Sequence, residues 1–135
     1  MTKVVTCLLE NNGEILILKR SEKVGTYHEL WGGIAGFVEE NEEPQETAVK
    51  EIKEEVGIEK KDLLLVKKED AIKFTDLYGG KLYDWIVYSF LFHIKDRDKI
   101  QIDREHTEFR WVKPSELKKY DTVPRFKEIV LKIFG

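Results

Sequence analysis

Three glutamates, Glu51, Glu54 and Glu55, stand close together in the stretch Lys50-Glu-Ile-Lys-Glu-Glu-Val-Gly57. If that stretch is helical, each residue advances about 100° and the three carboxylates share an arc of roughly 100°, beside an apolar stripe of Ala48, Ile52 and Val56. Like charges at such spacings weaken an isolated helix by about 0.2–0.5 kcal/mol per pair. A hard divalent cation reverses that sign, and magnesium in particular sits between protein carboxylates and substrate phosphates. An acidic helix is more commonly just a solvated face. The elements around the cluster must therefore decide.

The helix itself is well signalled. Pro44 suits a first helical turn, acidic residues surround it, apolar residues recur up to Val56, and Gly57 supplies the left-handed residue that ends many helices. Upstream, residues 3–10 are rich in β-formers, Asn12-Gly13 is a two-residue hairpin signal, and Glu14 to Lys19 makes the return strand. Residues 20–32 read as a loop, and Gly33 to Val38 as a short strand leading to the helix. Downstream, Leu63 to Phe74 reads as one strand. Leu82 to Ile94 reads as a longer strand, apolar on both faces and so central in a sheet, with Tyr78-Gly79-Gly80 turning between them. Phe109 to Val112 is a further short strand, Pro114 to Lys119 a helical turn, and Arg125 to Phe134 an amphipathic helix.

At 135 residues the chain suits one domain with a single core. The net charge of −3, with basic residues scattered, lacks the footprint of a nucleic-acid binder. No stretch is long and apolar enough to span a membrane or to act as a signal peptide, so a cytoplasmic location is the default expectation. Cys7 is the single cysteine, which excludes an intramolecular disulfide and a cysteine-based zinc site, and its apolar neighbours make it a buried thiol.

The whole segment from Gly36 to Ile58 resembles the signature of the Nudix hydrolases. That signature is a glycine, five residues, a glutamate, seven residues, then Arg-Glu-aliphatic-any-Glu-Glu-any-Gly-aliphatic. Gly36, Glu42, Glu51, Ile52, Glu54, Glu55, Gly57 and Ile58 stand in register, and Lys50 alone departs from it, in the arginine position. The resemblance implies an α+β (α/β) fold, a mixed β-sheet sandwiched between α-helices, over one domain of residues 1–135. It implies Mg2+, with Mn2+ able to substitute, held by Glu51, Glu54, Glu55 and the backbone carbonyl of Ala35. It also implies a Glu42 brace on Lys50. Lysine preserves that charge pairing but lacks arginine's planar two-toothed fork.

The implied reaction is hydrolysis of a diphosphate linkage in a nucleoside diphosphate derivative, a small-molecule partner that leaves nucleoside triphosphates, nucleotide sugars and dinucleoside polyphosphates open. ADP-ribose is disfavoured, because similar enzymes carry a proline beyond the signature and this chain has none between Pro44 and Pro114. Glu54 and Glu105 are the candidate bases, Glu105 on what the resemblance makes a mobile loop, with Glu108 as its competitor. Arg20 is the candidate phosphate ligand. Tyr27, Trp31, Phe74 and Tyr83 are of the type that stacks on a base, but such aromatics more often pack, and no base pocket is assigned. His28, His93 and His106 show no metal-ligand spacing. None is assigned to the site, and His93 is expected to be a hydrogen-bonded core residue. Small domains of this family often dimerise, which makes a homodimer an open option. Two other readings compete: an isoprenoid-diphosphate isomerase on the same fold, which needs Cys7 to be reactive, and a non-catalytic nucleotide-sensing module, which would be expected to have lost its acids.

Overall fold

The computed structural model describes residues 1–134. Strand β1 (Thr2–Asn11) turns through Asn12 and Gly13, both at positive φ, into β2 (Glu14–Arg20). Two short strands follow, β3 (Trp31–Gly32) and β4 (Ile34–Phe37), then helix α1 (Pro44–Val56). The remaining elements are β5 (Leu64–Lys68), β6 (Ile72–Tyr78), β7 (Lys81–His93), β8 (His106–Val112) and α2 (Phe126–Phe134).

All eight strands belong to one mixed sheet with a central path β3-β2-β1-β7-β5. Strands β1 and β7 run parallel from Thr2↔Trp85 to Glu10↔His93, and the other pairings are antiparallel. Period-two alternation sends neighbouring side chains of β1 and β2 to opposite faces. Val5, Cys7, Leu9, Leu16 and Leu18 pack with Ala48, Ile52 and Val56 of α1. Leu8, Ile15 and Ile17 pack with Phe126, Val130 and Ile133 of α2. The sheet thus lies between two helical layers, as expected.

The partners of β1 change along its length, and this opens the site. Its first half pairs with β4, from Val4↔Phe37 to Cys7↔Ile34, and its last residues pair with β2. Strand β4 therefore runs beside α1 and presents Ala35 and Gly36 to the helix. The expected strand from Gly33 to Val38 is β4, paired with β1, whereas Trp31–Gly32, expected as the end of a loop, forms β3 against β2; the chain passes from one neighbour to the other at Gly33. A Cβ at Gly33 would come within 2.7 Å of the Cys7 carbonyl oxygen, so only glycine fits this crossing.

The expected strand from Leu63 to Phe74 is also two. Strand β5 pairs with the end of β7 and β6 with its beginning, separated by Glu69-Asp70-Ala71; β5 itself carries a register shift between Leu65 and Lys67. Polar residues at the break and a partner long enough for two strands account for the difference. Strand β7 is central, as read. The chain of β8 starts at His106, three residues earlier than expected, and brings that histidine beside Arg20.

Candidate active site

Helix α1 fixes the acids. Its entry is tied by Glu46 Oε1, which accepts from the Glu43 N–H at 2.9 Å, and its exit by Gly57 at φ 75°, whose N–H donates to the Lys53 carbonyl. Ala48, Ile52 and Val56 are fully buried under it, which turns Glu55 inward and leaves Glu54 on the solvent side. Glu51 is half-buried between them.

Glu42 in the preceding loop is fully engaged. Lys50 Nζ donates to its Oε2 at 2.8 Å, while Oε1 accepts from the Thr47 hydroxyl at 2.9 Å and the Glu39 N–H at 3.0 Å. The Lys50 ammonium, the Glu39 N–H and the Thr47 hydroxyl hold the Glu42 carboxyl below its ordinary range. The lysine variant of the brace is thus completed by Thr47 and a backbone amide, which supply the second tooth that arginine's fork would have offered. Asn41 takes the left-handed conformation, φ 69°, needed at this turn.

Glu55 is 2% exposed and lies beside Glu51. Burial pushes its carboxyl well above the usual range, and the neighbouring Glu51, Asp103 and Glu105 charges add to this. Burial also raises Glu51, offset in part by a hydrogen bond to Glu55. Ala35 N–H points at Glu55 Oε1 over 3.5 Å, and Glu55 Oε2 has no partner. The N–H and C=O of one strand residue point to the same edge. The Ala35 carbonyl therefore faces the same acids. Among the described residues, no three His, Cys, Asp or Glu side chains already stand close enough together to enclose an ion.

These groups form one wall of a cleft of about 730 Å³. Arg20, Ala35, Glu51, Glu55 and Glu105 line it, and Glu54 is not among the lining residues. The Arg20 guanidinium is anchored to the loop after β2: Nε donates to the Thr26 carbonyl at 2.9 Å. Burial lowers its pKa, opposed by Glu55 and Glu105. Glu108, the competitor of Glu105, instead pairs with Arg110 at 3.2 Å and Lys19 at 3.7 Å on the outer part of β8.

Aromatic side chains line the cleft as well. Tyr27, Phe74, Tyr83 and Trp85 line it, the last two stacked with centroids 5.2 Å apart and planes 3° from parallel. Trp31 does not join them: it packs against Tyr120 in the α2 layer. Trp85, not singled out in the sequence, replaces it. A cleft lined by acids, an arginine and aromatic faces can hold a molecule that has an anionic part and a flat part.

The profile of the NUDIX domain matches residues 1–133. The chain belongs to the Nudix hydrolase family. Its reaction class is therefore that of the family, hydrolysis of a diphosphate linkage in a nucleotide-like substrate. Over 125 residues it is 29% identical to a nucleoside triphosphatase, NudI, of Escherichia fergusonii, covering 87% of this chain and 86% of that protein. Its fold is similar to that of the E. coli dihydroneopterin triphosphate pyrophosphohydrolase, with a TM-score of 0.80 and 18% identity over 96% of this chain and 92% of the other. It is likewise similar to the C. elegans Ap4A hydrolase, with a TM-score of 0.75 and 21% identity over 98% and 94% of the two chains.

Within this Nudix fold two histidines differ from their expected places. His93 is hydrogen-bonded, through Nδ1 to Glu10 Oε2 at 2.8 Å, but is only half-buried, since the pair lies at the sheet's outer end. His106 is buried at the back of the acid cluster, with Nδ1 donating to Asp103 Oδ1 at 2.9 Å and Nε2 3.6 Å from Glu55 Oε1. No local spacing announces that contact, because Glu55 and His106 meet only through the sheet. Glu105 sits on a loop that is tied down, not free: its N–H donates to Asp103 Oδ1 at 3.2 Å, and its carbonyl accepts from Ser21 N–H at 2.8 Å. Cys7 lies under α1, 1% exposed, and burial raises its pKa well above the thiol norm. A thiol so placed is inert, which removes the basis for the isomerase reading.

Proposed function

We propose that the chain is a Mg2+-dependent nucleoside triphosphate pyrophosphohydrolase, with Mn2+ able to replace Mg2+, that releases a nucleoside monophosphate and pyrophosphate. The observation that carries this is the joint lining of one cleft by Glu51, Glu55 and Arg20 and by the Tyr83–Trp85 stack. The likeness to a nucleoside triphosphatase over 87% of the chain favours that substrate among those the family reaction admits.

The donor set fits a hard divalent cation. Glu55 Oε2 is a buried oxygen without a partner, Glu51 and Glu55 are neighbouring acids whose charges disfavour each other, and all the donors are oxygens. Glu51, Glu55 and the Ala35 carbonyl would hold the ion, with Glu54 reaching in from the rim. When bound, such an ion neutralises diphosphate charge and eases ionisation of the attacking water. Arg20 binds and orients the phosphates. Glu105, with its backbone fixed and its side chain on the cleft, accepts the proton of the water as its oxygen bonds to phosphorus and the bridging P–O bond breaks; Glu54 is the second candidate for that role. The aromatic wall takes the base by stacking. Retention of every signature acid favours turnover over nucleotide sensing alone.

The test is a screen of nucleoside triphosphates, nucleotide sugars and dinucleoside polyphosphates with Mg2+, with products separated by ion exchange. Nucleoside triphosphates should be turned over best and yield pyrophosphate, with Glu54→Gln and Glu105→Gln slower. Turnover of none of these compounds, or preference for another class, would overturn the proposal.

A further inference from the structure

Asp103 is tied through both its backbone and its side chain. Its N–H donates to the backbone carbonyl of Glu55 at 3.1 Å, and its Oδ1 accepts from the Glu105 N–H at 3.2 Å and from His106 Nδ1 at 2.9 Å. The other face of the same imidazole, Nε2, stands 3.6 Å from Glu55 Oε1, and both side chains are about 3% exposed. Gln101 N–H donates to the Val56 carbonyl and Ser21 Oγ to the Arg104 carbonyl, so the segment is sewn to the end of α1 on one side and to the end of β2 on the other. An acid hub and a buried ring thus connect the helix that carries Glu55 to the loop that carries Glu105, elements that are 50 residues apart in the chain.

We infer that Asp103 and His106 are a positioning pair that sets Glu55 and Glu105 relative to each other across the cleft. His106 backs the Glu55 carboxyl and restricts its rotamer, while Asp103 fixes both the ring and the backbone from which the Glu105 side chain departs. Groups behind a metal ligand orient it and commonly change metal affinity by about 10–100-fold when removed. Both act through the acids they hold. The inference rests on the proposed reading for the roles of Glu55 and Glu105, but the tie between helix and loop has a consequence in the metal-free protein as well.

The experiment uses the full chain with Asp103→Ala, Asp103→Asn, His106→Ala and His106→Gln, each checked for folding by circular dichroism. Mn2+ affinity is measured by calorimetry, and the Glu105 amide proton resonance is followed without metal. Asp103→Ala should weaken Mn2+ binding by about 10–100-fold and shift the Glu105 amide upfield as its carboxylate acceptor is lost. Asp103→Asn, which keeps an accepting oxygen, should restore most of both, and His106→Gln, which keeps a polar group toward Glu55, should bind Mn2+ better than His106→Ala. A folded Asp103→Ala with wild-type Mn2+ affinity and an unmoved Glu105 amide overturns the positioning pair while leaving the hydrolase reading intact. Wild type that neither binds Mn2+ nor hydrolyses any diphosphate sinks the hydrolase reading instead, and the amide shift then decides whether the tie exists.

Discussion

The carboxyl group of Glu51 occupies the space that a β-carbon on residue 36 would fill: a Cβ built on Gly36 falls onto the Glu51 Cγ, Cδ and Oε1 atoms. The glycine that opens the signature is therefore a steric requirement of the acid 15 residues later, and not of its own backbone, which lies in a regular β pairing with Val5. Gly36→Ala should displace Glu51 from the cleft. We expect a stability loss of about 1–3 kcal/mol from overpacking and, under conditions where the variant is folded, hydrolysis at least about tenfold below wild type. Thermal melts and steady-state rates check both, and an unimpaired Gly36→Ala would show that Glu51 is free to move.

The Glu42–Lys50 brace makes a prediction about acid stability. Its hydrogen bonds hold the Glu42 carboxyl below its ordinary value, so the stabilisation is present above that ordinary value and lost as pH falls through the lowered one. Wild type and Lys50→Met should therefore differ most in melting temperature near neutral pH and converge under acid conditions. Lys50→Arg should leave the melting temperature close to that of wild type, since Thr47 and Glu39 already occupy the second oxygen of Glu42.

Tyr27 gives an alkaline counterpart. Its hydroxyl donates to Asp76 Oδ2 at 2.8 Å and accepts from Trp85 Nε1 at 3.2 Å, tying the loop that anchors Arg20 to the β6–β7 hairpin. Burial first, then the Asp76 contact, pushes its pKa up to about 12. A raised value in the folded state means a contribution present in full below pH about 10 and lost as pH rises to about 12. Stability of Tyr27→Phe should fall less steeply than that of wild type across this window. At neutral pH the same variant should raise KM more than it lowers kcat, because it frees the loop that holds Arg20. Parallel melts between pH 8 and 12 that fail to converge or diverge would contradict this.

Cys7→Ser separates structure from chemistry. A hydroxyl in place of a thiol that is 1% exposed should cost about 1–3 kcal/mol while leaving diphosphate hydrolysis at wild-type rates. Loss of turnover in a folded Cys7→Ser protein would reinstate a catalytic thiol.

Much of this architecture was legible in the chain because its signals are local. Pro44, the apolar stripe and Gly57 define α1 to the residue, and the glycine turns at residues 13 and 79–80 have the positive φ that their hairpins need. Arg20, Glu51, Glu55 and Glu105 line one cleft, since one helix, the end of one strand and the loop before β8 place them, whereas Glu54 stays on the solvent side. What escaped depends on partners far along the chain. The division of β5 from β6 follows from β7 serving both, the place of Trp85 from its stack on Tyr83, and the burial of His106 from its approach to Glu55 through β2 and β8. A histidine among charged residues carries no mark of such a role until the sheet has formed.

Whether the Glu51–Glu55 pair takes a divalent cation to cleave a diphosphate bond is decided by kcat/KM for a nucleoside triphosphate across a Mg2+ titration, comparing wild type with Glu55→Gln. Wild type should be inactive after chelation and recover with added Mg2+, and Glu55→Gln should be at least about a hundredfold slower at every Mg2+ concentration. Its metal-free melting temperature should be equal or higher, because the substitution removes a buried ionisable group with an unpaired oxygen. Wild-type turnover by Glu55→Gln, or metal-independent turnover by wild type, would contradict the account.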